Sequence, residues 1–295
     1  MSVWSVAARI GAELGEGLHW DPSRQRLWMV DIIGKRLLAV APGKADHWER
    51  LLPQRVGWVL TEQDSSALLL GLQEGIGRLQ DPEASEVSWL SRMFAGNPSL
   101  RLNDGKADSS GAIWAGSLNH DDETRPDGAL YRVDPRTGST SLVDSGYLVA
   151  NGPAIDKEGG LMLHSDSGRR VIYSFNLNVS TGVISGKRIW KQFLAEEGYP
   201  DGMCFDADGC VWVAHWGAGC VSRFGPHGEL LRRVNLPVSN VTNVCFGGPA
   251  LDRLFVTSAK VGLTRQQLES QPLAGALFEI DCGGVHGLPS LAAGR

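Results

Sequence analysis

Hydrophobic and polar residues alternate in short runs along the whole chain, and turns rich in Asp and Gly separate the runs. One arrangement recurs: an apolar pair, an acidic or polar turn, then a short alternating strand that often carries an aromatic residue. It occupies residues 18–31, 106–117, 153–166, 203–216 and 244–258, with a weaker copy at 59–72. In three copies the turn contains Asp-x-x-Gly, where Asp favours the start of a turn and Gly supplies positive φ at its end. Each copy therefore predicts a β-hairpin.

Further alternating segments follow the hairpins, at 128–135, 170–178 and 219–226, which brings each unit to four short strands. The units begin near Glu16, Gly57, Asn103, Asn151, Asp201 and Asn243. Four strands in roughly 45 residues is the repeat of a β-propeller blade. The longest helical candidate, 263–271, is too short to build a second layer. The pattern predicts an all-β fold in which residues 1–295 form one six-bladed propeller domain.

Composition and charge narrow the function. The chain has 28 Lys and Arg against 33 Asp and Glu, a formal charge of −5, and no basic run longer than two residues. A nucleic-acid surface normally shows clustered basic residues, so nucleic acid is not an expected partner. No apolar run approaches the roughly 18 residues of a membrane span, and the N-terminus does not resemble a secretory signal. We expect a cytoplasmic protein without membrane contact, either a monomer or a weak homo-oligomer.

The five cysteines are Cys204, Cys210, Cys220, Cys245 and Cys282, and no two of them form a Cys-x-x-Cys pair. A structural zinc site needs such spacing, so none is expected. Four of the five lie in or beside apolar runs, where a free cysteine behaves as a small buried hydrophobe. The sequence therefore predicts reduced thiols in the core.

Polar residues recur where each unit begins. The first strand of a propeller blade is the innermost, so residues at its start converge on one mouth of the central channel. At the starts of five of the six units the chain carries Glu16, Asn103, Asn151, Asp201 and Asn243. Each Asn or Asp can instead cap its own turn. Because carboxylate and amide oxygens recur at one point of separate blades, a site for Ca²⁺, Mg²⁺ or Mn²⁺ is favoured.

Several of these segments also resemble one known family. They are LGEGLHWD at 14–21, RLNDGKAD at 101–108, ANGPAID at 150–156, YPDGMCFDADGCVWVA at 199–214 and QPLAGALFEID at 271–281. Their order and spacing are similar to those of the senescence marker protein/gluconolactonase/regucalcin family of six-bladed propellers. The similarity extends over nearly the whole chain.

The resemblance implies a divalent cation (Ca, Zn, Mn or Mg) held by Glu16, Asn151 and Asp201. It also implies substrate contacts from Arg101 and Asn103. Some relatives place a Glu after the Ala-Gly-Ser segment, where this chain reads LNHDDE, so Asp121 is the nearest counterpart for a further contact. Family members open sugar-acid lactones, and some are described as calcium-binding regulators.

We therefore interpret the chain as a metal-dependent lactonase, a carboxylic ester hydrolase acting on a small sugar or sugar-acid lactone. No Gly-x-Ser-x-Gly elbow marks a nucleophilic serine. Asp201 is the candidate proton acceptor in addition to being a metal ligand. Two alternatives stay open: a non-enzymatic calcium-binding regulatory propeller, and a phosphotriesterase-like hydrolase using the same metal site.

Aromatic and histidine residues complete the predictions. Trp28, Trp114 and Trp212 fall at equivalent second-strand positions, which predicts packing between blades. Trp58 lies beside the start of the second unit and is expected at the channel mouth. His164, in LMLHSDS, faces either the core or the channel.

Overall fold

The computed structural model describes residues 3–44 and 46–294. Six antiparallel sheets of four strands make up the fold, and the first strands of neighbouring sheets contact one another in a closed ring. These inner strands are β2 (Gly15–Asp21), β6 (Val56–Thr61), β10 (Leu100–Ala107), β14 (Ala150–Ile155), β18 (Tyr199–Phe205) and β22 (Val241–Gly247). The six-bladed propeller predicted from the sequence is confirmed, with the predicted unit starts at the beginnings of the inner strands.

The remaining strands extend each blade outward in chain order. The second strands are β3 (Arg26–Asp31), β7 (Leu68–Leu72), β11 (Ile113–Asn119), β15 (Leu161–Asp166), β19 (Val211–Trp216) and β23 (Arg253–Ser258). The third strands are β4 (Arg36–Val40), β8 (Gly75–Leu79), β12 (Gly128–Val133), β16 (Val171–Asn178), β20 (Cys220–Phe224) and β24 (Leu277–Asp281). The fourth strands are β5 (His47–Leu51), β9 (Ser88–Ser91), β13 (Thr140–Tyr147), β17 (Val183–Gln192), β21 (Leu230–Asn235) and, from the N-terminus, β1 (Trp4–Ala8).

Strand β1 closes the ring, because it pairs with β24 and becomes the outer strand of the sixth blade. The repeat did not reveal this strand, since the first unit was placed from Glu16 onward. Helix is scarce in the described residues: α1 (Arg265–Ser270) and two short 3-10 turns, Ser167–Arg169 and Ala195–Glu197. None of the helices in this described part of the chain has the length and apolar character needed to cross a membrane.

Three blades share a buried Asp–Trp pair. Asp21, Asp108 and Asp206 accept a hydrogen bond from the indole Nε1 of Trp28, Trp114 and Trp212 at 3.1, 2.8 and 2.9 Å, respectively. Each indole is fully buried and belongs to a hydrophobic cluster that also contains residues of the next blade. The predicted inter-blade packing is confirmed, and the carboxylate satisfies the only polar atom of each indole.

The Asp206 pair predicts a large loss of stability on substitution. Besides Trp212, the Asp206 carboxylate accepts hydrogen bonds from Arg223 Nε at 2.7 Å and from the backbone N–H of Cys210 at 2.9 Å. Asp206→Ala leaves these donors without their buried acceptor, so we expect unfolding free energy to fall by about 3 kcal/mol. Urea denaturation measures this loss of unfolding free energy. Asp208→Ala is the control, because its exposed carboxylate also pairs with Arg223; equal losses in both variants would contradict the prediction.

Every inner strand carries a bulge near its start. The pairing register with the second strand shifts just after Glu16, Leu102, Asn151 and Pro200, and the other two inner strands show the same shift. A bulge bends the strand and redirects its side chains, which is why bulges are frequent beside functional sites. Here the bulges turn the residues at the unit starts toward one mouth of the channel.

The cysteines match their prediction. All five thiols are free, four are buried and Cys204 is half-buried. Burial raises the pKa of the Cys204 and Cys282 thiols, the latter to about 12, so both remain protonated at neutral pH.

Candidate active site

Four of the predicted site residues meet at the mouth of the channel. Glu16, Asn103, Asn151 and Asp201 lie near the starts of four inner strands, and all four are buried. They line one cavity of about 650 Å³ together with Arg101. The propeller therefore brings together side chains that are far apart in the sequence.

Hydrogen bonds fix the two asparagines against each other. Asn103 Nδ2 donates to Asn151 Oδ1 at 2.8 Å and to the carbonyl oxygen of Ala150 at 2.9 Å. Asn151 Nδ2 donates to Ser167 Oγ at 2.9 Å. These bonds leave Asn151 Oδ1 with one accepting position still available, because an amide oxygen has two lone pairs.

Three buried carboxylates, Glu16, Asp104 and Asp201, are close enough for their charges to act on one another. Burial first, and the negative charge of Asp104 second, raise the pKa of Glu16 to about 8. The pKa of Asp201 is also raised by burial and by the charges of Glu16 and Asp104. A site that must keep these groups ionised at neutral pH therefore needs positive charge nearby.

Lys106 supplies part of the positive charge that these carboxylates need. Its Nζ donates to the carbonyl oxygen of Leu18 at 3.2 Å. Burial opposes the charged form of Lys106, but the surrounding negative charges, Asp104 foremost, outweigh burial and raise its pKa. Asp104 in turn accepts from the backbone N–H of Gly152 at 3.1 Å and from Asn243 Nδ2 at 3.3 Å. Lys106 offsets part of the negative charge of Asp104, and the three carboxylates together still carry more charge than this one cation supplies.

The remaining donors fit a hard divalent cation. Asp201 Oδ1 is buried and has no hydrogen-bond partner among the described residues. Glu16 Oε2 accepts from the N–H of Gly17 at 3.1 Å and from Asn243 Nδ2 at 2.9 Å, which leaves Oε1 available. Within residues 3–44 and 46–294, no three His, Cys, Asp or Glu side chains are grouped to hold a metal by themselves. The amide oxygen of Asn151 is a further oxygen donor that this cavity offers beside the two carboxylates, and oxygen donors of this kind suit Ca²⁺, Mg²⁺ or Mn²⁺.

Arg101 lies at the side of this group. Its Nη1 donates to Asn103 Oδ1 at 2.6 Å and to the carbonyl oxygen of Leu102 at 3.1 Å. Burial lowers the pKa of Arg101 to about 10, so the guanidinium stays charged at neutral pH. Arg101 thus offers further N–H donors to a molecule in the cavity.

Glycines explain why the second blade gives no oxygen donor. A Cβ on Gly57 would lie 2.4 Å from the carbonyl oxygen of Asn103, and a Cβ on Gly17 would lie 2.7 Å from Trp58 Cα. The backbones of three neighbouring blades therefore meet too closely here for a side chain. Gly17 also has φ of 59°, which favours glycine.

The prediction that Trp58 lies at the channel mouth is wrong. Trp58 is fully buried and packs in the cluster between the second and third blades. A Cβ on Gly71 would lie 2.2 Å from its indole, and a Cβ on Gly105 would lie 2.8 Å from it. Side chains alternate along a strand, so with Gly57 turned to the channel Trp58 points between the blades.

The structure places Asp121 outside the cavity lining. The Asp121 side chain is 65% exposed, and its backbone N–H donates to Asn119 Oδ1 in a tight turn. Glu123, two residues later in the same exposed loop, lines the cavity instead. Asp121 as a substrate contact stays a prediction, and the structure brings Glu123 rather than Asp121 to the cavity wall.

The histidine alternatives are resolved by burial. His164 is fully buried edge-to-face on Tyr147, with ring centroids 4.8 Å apart, and burial lowers its pKa to about 3. His164 therefore faces the core. His215 Nδ1 is 2.7 Å from the carbonyl oxygen of Glu197, and His19 Nε2 is 2.9 Å from Thr61 Oγ1.

Sequence reasoning missed Asp104, Lys106 and Arg55. Asp104 follows Asn103 directly, so regular strand alternation predicts that the two side chains lie on opposite faces. The bulge in β10 breaks this alternation, and both side chains face the channel. Arg55 lines the cavity and stands two residues before Gly57, as Arg101 stands two residues before Asn103. That shared spacing from the unit start was a signal for Arg55.

Comparisons with known proteins agree with this architecture. Residues 14–260 match the family model described as SMP-30/Gluconolactonase/LRE-like region. Regucalcin of Danio rerio is 31% identical over 94% of this chain and 93% of its own, and pentonolactonase XacC of Haloferax volcanii is 32% identical over 91% and 90%. A solved structure of a calcium-binding protein, regucalcin, from Agrobacterium tumefaciens is 25% identical, with a TM-score of 0.91 over 98% of this chain and 96% of its own.

Proposed function

Because this chain belongs to the SMP-30/gluconolactonase/LRE-like family, we propose that it is a metal-dependent hydrolase that opens a sugar or sugar-acid lactone. The relative named pentonolactonase supports a lactone substrate, and the relative named a calcium-binding protein supports a divalent cation. Glu16, Asn151 and Asp201 are the proposed ligands. The cytoplasmic location stays a prediction.

One observation carries the proposal. The cavity combines a buried, unpartnered carboxylate oxygen on Asp201 with the charged guanidinium of Arg101. An ester carbonyl needs a group that withdraws electrons, a nearby proton acceptor and donors that hold the ring in place. In this proposal a bound cation withdraws electrons from the carbonyl, Asp201 is the proton acceptor, and Arg101 and Asn103 hold the ring.

The chain's own residues divide the work of hydrolysis. When bound, a divalent cation supplies Lewis acidity for the lactone carbonyl. Arg101 donates hydrogen bonds to the lactone oxygens and is kept in place by its bond to Asn103 Oδ1. Both N–H groups of Asn103 are already used, so Asn103 accepts from a lactone hydroxyl at the second lone pair of that oxygen. Asp201 accepts the proton of the attacking water at its carboxylate, and that proton is later passed to the leaving alkoxide of the opened ring. The positive charge of Lys106 partly offsets the negative charge of Asp104 beside these residues.

Arg101→Ala tests the role given to Arg101. Removing a charged donor costs about 1.5 to 3 kcal/mol of transition-state binding, so we expect kcat/KM for a sugar lactone to fall by roughly 10- to 150-fold. Metal affinity, measured by calorimetry, should change little because Arg101 is not a proposed ligand. Arg136→Ala is the matched control, since Arg136 is exposed in the turn that follows β12, away from the channel mouth. Normal kcat/KM in Arg101→Ala with lowered thermal stability would make Arg101 a structural residue.

A non-enzymatic calcium-binding regulator is the second candidate, favoured by the relative named a calcium-binding protein. A regulator has no need of a charged guanidinium beside the proposed ligands. A screen of aldonolactones with metal-free protein supplied separately with Ca²⁺, Mg²⁺, Mn²⁺ and Zn²⁺, followed with a pH indicator, separates the two. Cation binding without turnover of any lactone would favour the regulator.

A further inference from the structure

A second arginine lines the cavity without a place in the mechanism. Arg55 is half-buried at the start of the second blade, at the position that corresponds to Arg101 in the third blade. No described carboxylate lies within ion-pair distance of the Arg55 guanidinium, whereas other half-buried arginines, such as Arg36 and Arg223, have such a partner. Arg55 is therefore a cation in the wall of the cavity without an ion-pair partner in the described part of the chain.

Arg55 and Arg101 face a common space. The charge of Arg55 acts on both Arg101 and His120, contributing to the lowered pKa of each after burial, so the three groups are neighbours. His120 Nδ1 is buried and has no hydrogen-bond partner among the described residues. The second and third blades together present two guanidinium groups and the imidazole of His120, whose Nε2 lies 3.6 Å from Asp121 Oδ1.

The opposite walls do not offset this charge. They consist mainly of apolar and aromatic side chains: Leu14, Ile32, Ile33, Leu148, Tyr199 and Trp216. Glu123 is the one carboxylate in the lining besides Glu16 and Asp201. It lies on an exposed loop and forms no ion pair with either arginine in the described part of the chain, but of all charges its charge acts most on Arg101.

The charges of the lined cavity can be counted. Glu16 and Asp201 balance a divalent cation, and Glu123 balances one of the two arginines. One positive charge remains in a partly enclosed space with apolar walls. A ligand with a single negative charge makes the loaded cavity neutral, and a neutral ligand leaves one cation desolvated without a partner, which is unfavourable.

We propose that Arg55 is a specificity residue that binds an anionic group of the substrate, so that the preferred lactone carries an acid remote from its reacting carbonyl. The inference rests on the proposed lactonase function for the orientation of the substrate. Arg101 and Asn103 hold the lactone end near the cation, and Arg55 holds a carboxylate, or an acid of similar size and charge, at the other end. A guanidinium binds such groups through two parallel hydrogen bonds.

The test compares two lactones that differ at one carbon. D-glucono-1,4-lactone and D-glucaro-1,4-lactone share the ring, but the second has a carboxylate where the first has a hydroxymethyl group. We expect kcat/KM to be higher for the glucarolactone by about 10-fold or more, because one charge-assisted hydrogen bond stabilises the bound state by about that factor. Arg55→Gln should remove most of this ratio, Arg55→Lys should keep part of it, and Arg136→Gln should leave it intact.

The salt concentration gives a second test, because dissolved ions screen the attraction between the half-buried Arg55 guanidinium and the carboxylate of the substrate. The preference for the glucarolactone should shrink as NaCl rises from 20 to about 300 mM, and it should do so less in Arg55→Gln. Equal kcat/KM for the two lactones, or a ratio that survives Arg55→Gln, would overturn the proposal while leaving the lactonase function in place.

If neither lactone is hydrolysed, the proposed function fails and the anion site is still decided by binding. Methyl β-D-glucuronide and methyl β-D-glucoside are unreactive and differ only in the same carboxylate. Calorimetry on calcium-loaded protein should show tighter binding of the glucuronide, and Arg55→Gln should weaken that binding by about 10-fold. Equal binding of the two sugars would overturn the proposal.

Discussion

Removal of divalent cations by a strong chelator is expected to abolish lactone hydrolysis and to leave the six blades folded. The proposed ligands contribute two carboxylates and an amide oxygen, and no thiol or imidazole takes part. With the cation removed, the carbonyl loses its electrophilic partner, and Glu16, Asp104 and Asp201 are left with Lys106 and Arg101 as the nearest cations. We expect activity to fall below detection and to return when one cation is added back.

The fold should survive because the blades are held by apolar packing rather than by the site. The hydrophobic clusters lie between neighbouring blades, and β1 closes the ring through backbone hydrogen bonds to β24. Circular dichroism and thermal unfolding of metal-free protein measure this. The unfolding temperature should rise with added Ca²⁺, since a ligand that binds only the native state stabilises it. Full lactonase activity in protein shown to be metal-free would exclude the proposed mechanism.

Asp201→Asn and Glu16→Gln are expected to separate a base from a ligand. Both substitutions keep an oxygen donor of similar shape and remove one negative charge, so both should weaken cation binding. Asp201→Asn also removes the proposed proton acceptor. We expect saturating cation to restore much of the kcat of Glu16→Gln and to leave Asp201→Asn lower by about 100- to 10,000-fold, as is typical of general-base removal.

The pair of variants controls for the cation, because each is measured at the concentration that saturates its own site, determined by calorimetry. Unfolding temperatures show whether either protein has lost structure. Equal recovery of the two variants would mean that Asp201 serves as a ligand alone. The proton acceptor would then have to come from another carboxylate at the cavity, and Glu123 and Asp121 would be the next residues to substitute.

The amino-acid pattern alone was enough to predict the blades and the end of the channel where the candidate site lies. Hydrophobic alternation with period two and Asp-Gly turns are local signals, and a repeat of roughly 45 residues tells how many times they recur. Because the inner strand of each blade begins at the same phase, Glu16, Asn103, Asn151 and Asp201 were expected at one end of the channel before any coordinates. Their meeting in one cavity follows from that symmetry.

Which side chains at those positions point into the channel depends on the folded arrangement of the strands. A bulge of one residue reverses the face on which a side chain lies, and nothing in the local pattern distinguishes Asp104, which the bulge keeps inside, from Trp58, which packs between blades. The same is true of the loop after β11, where a tight turn at Asn119 exposes Asp121 and brings Glu123 to the wall. Electrostatic balance is also a tertiary property. The action of the Glu16 charge on Asp201, and the lack of a described carboxylate within ion-pair distance of Arg55, depend on distances between blades that the chain's order does not encode.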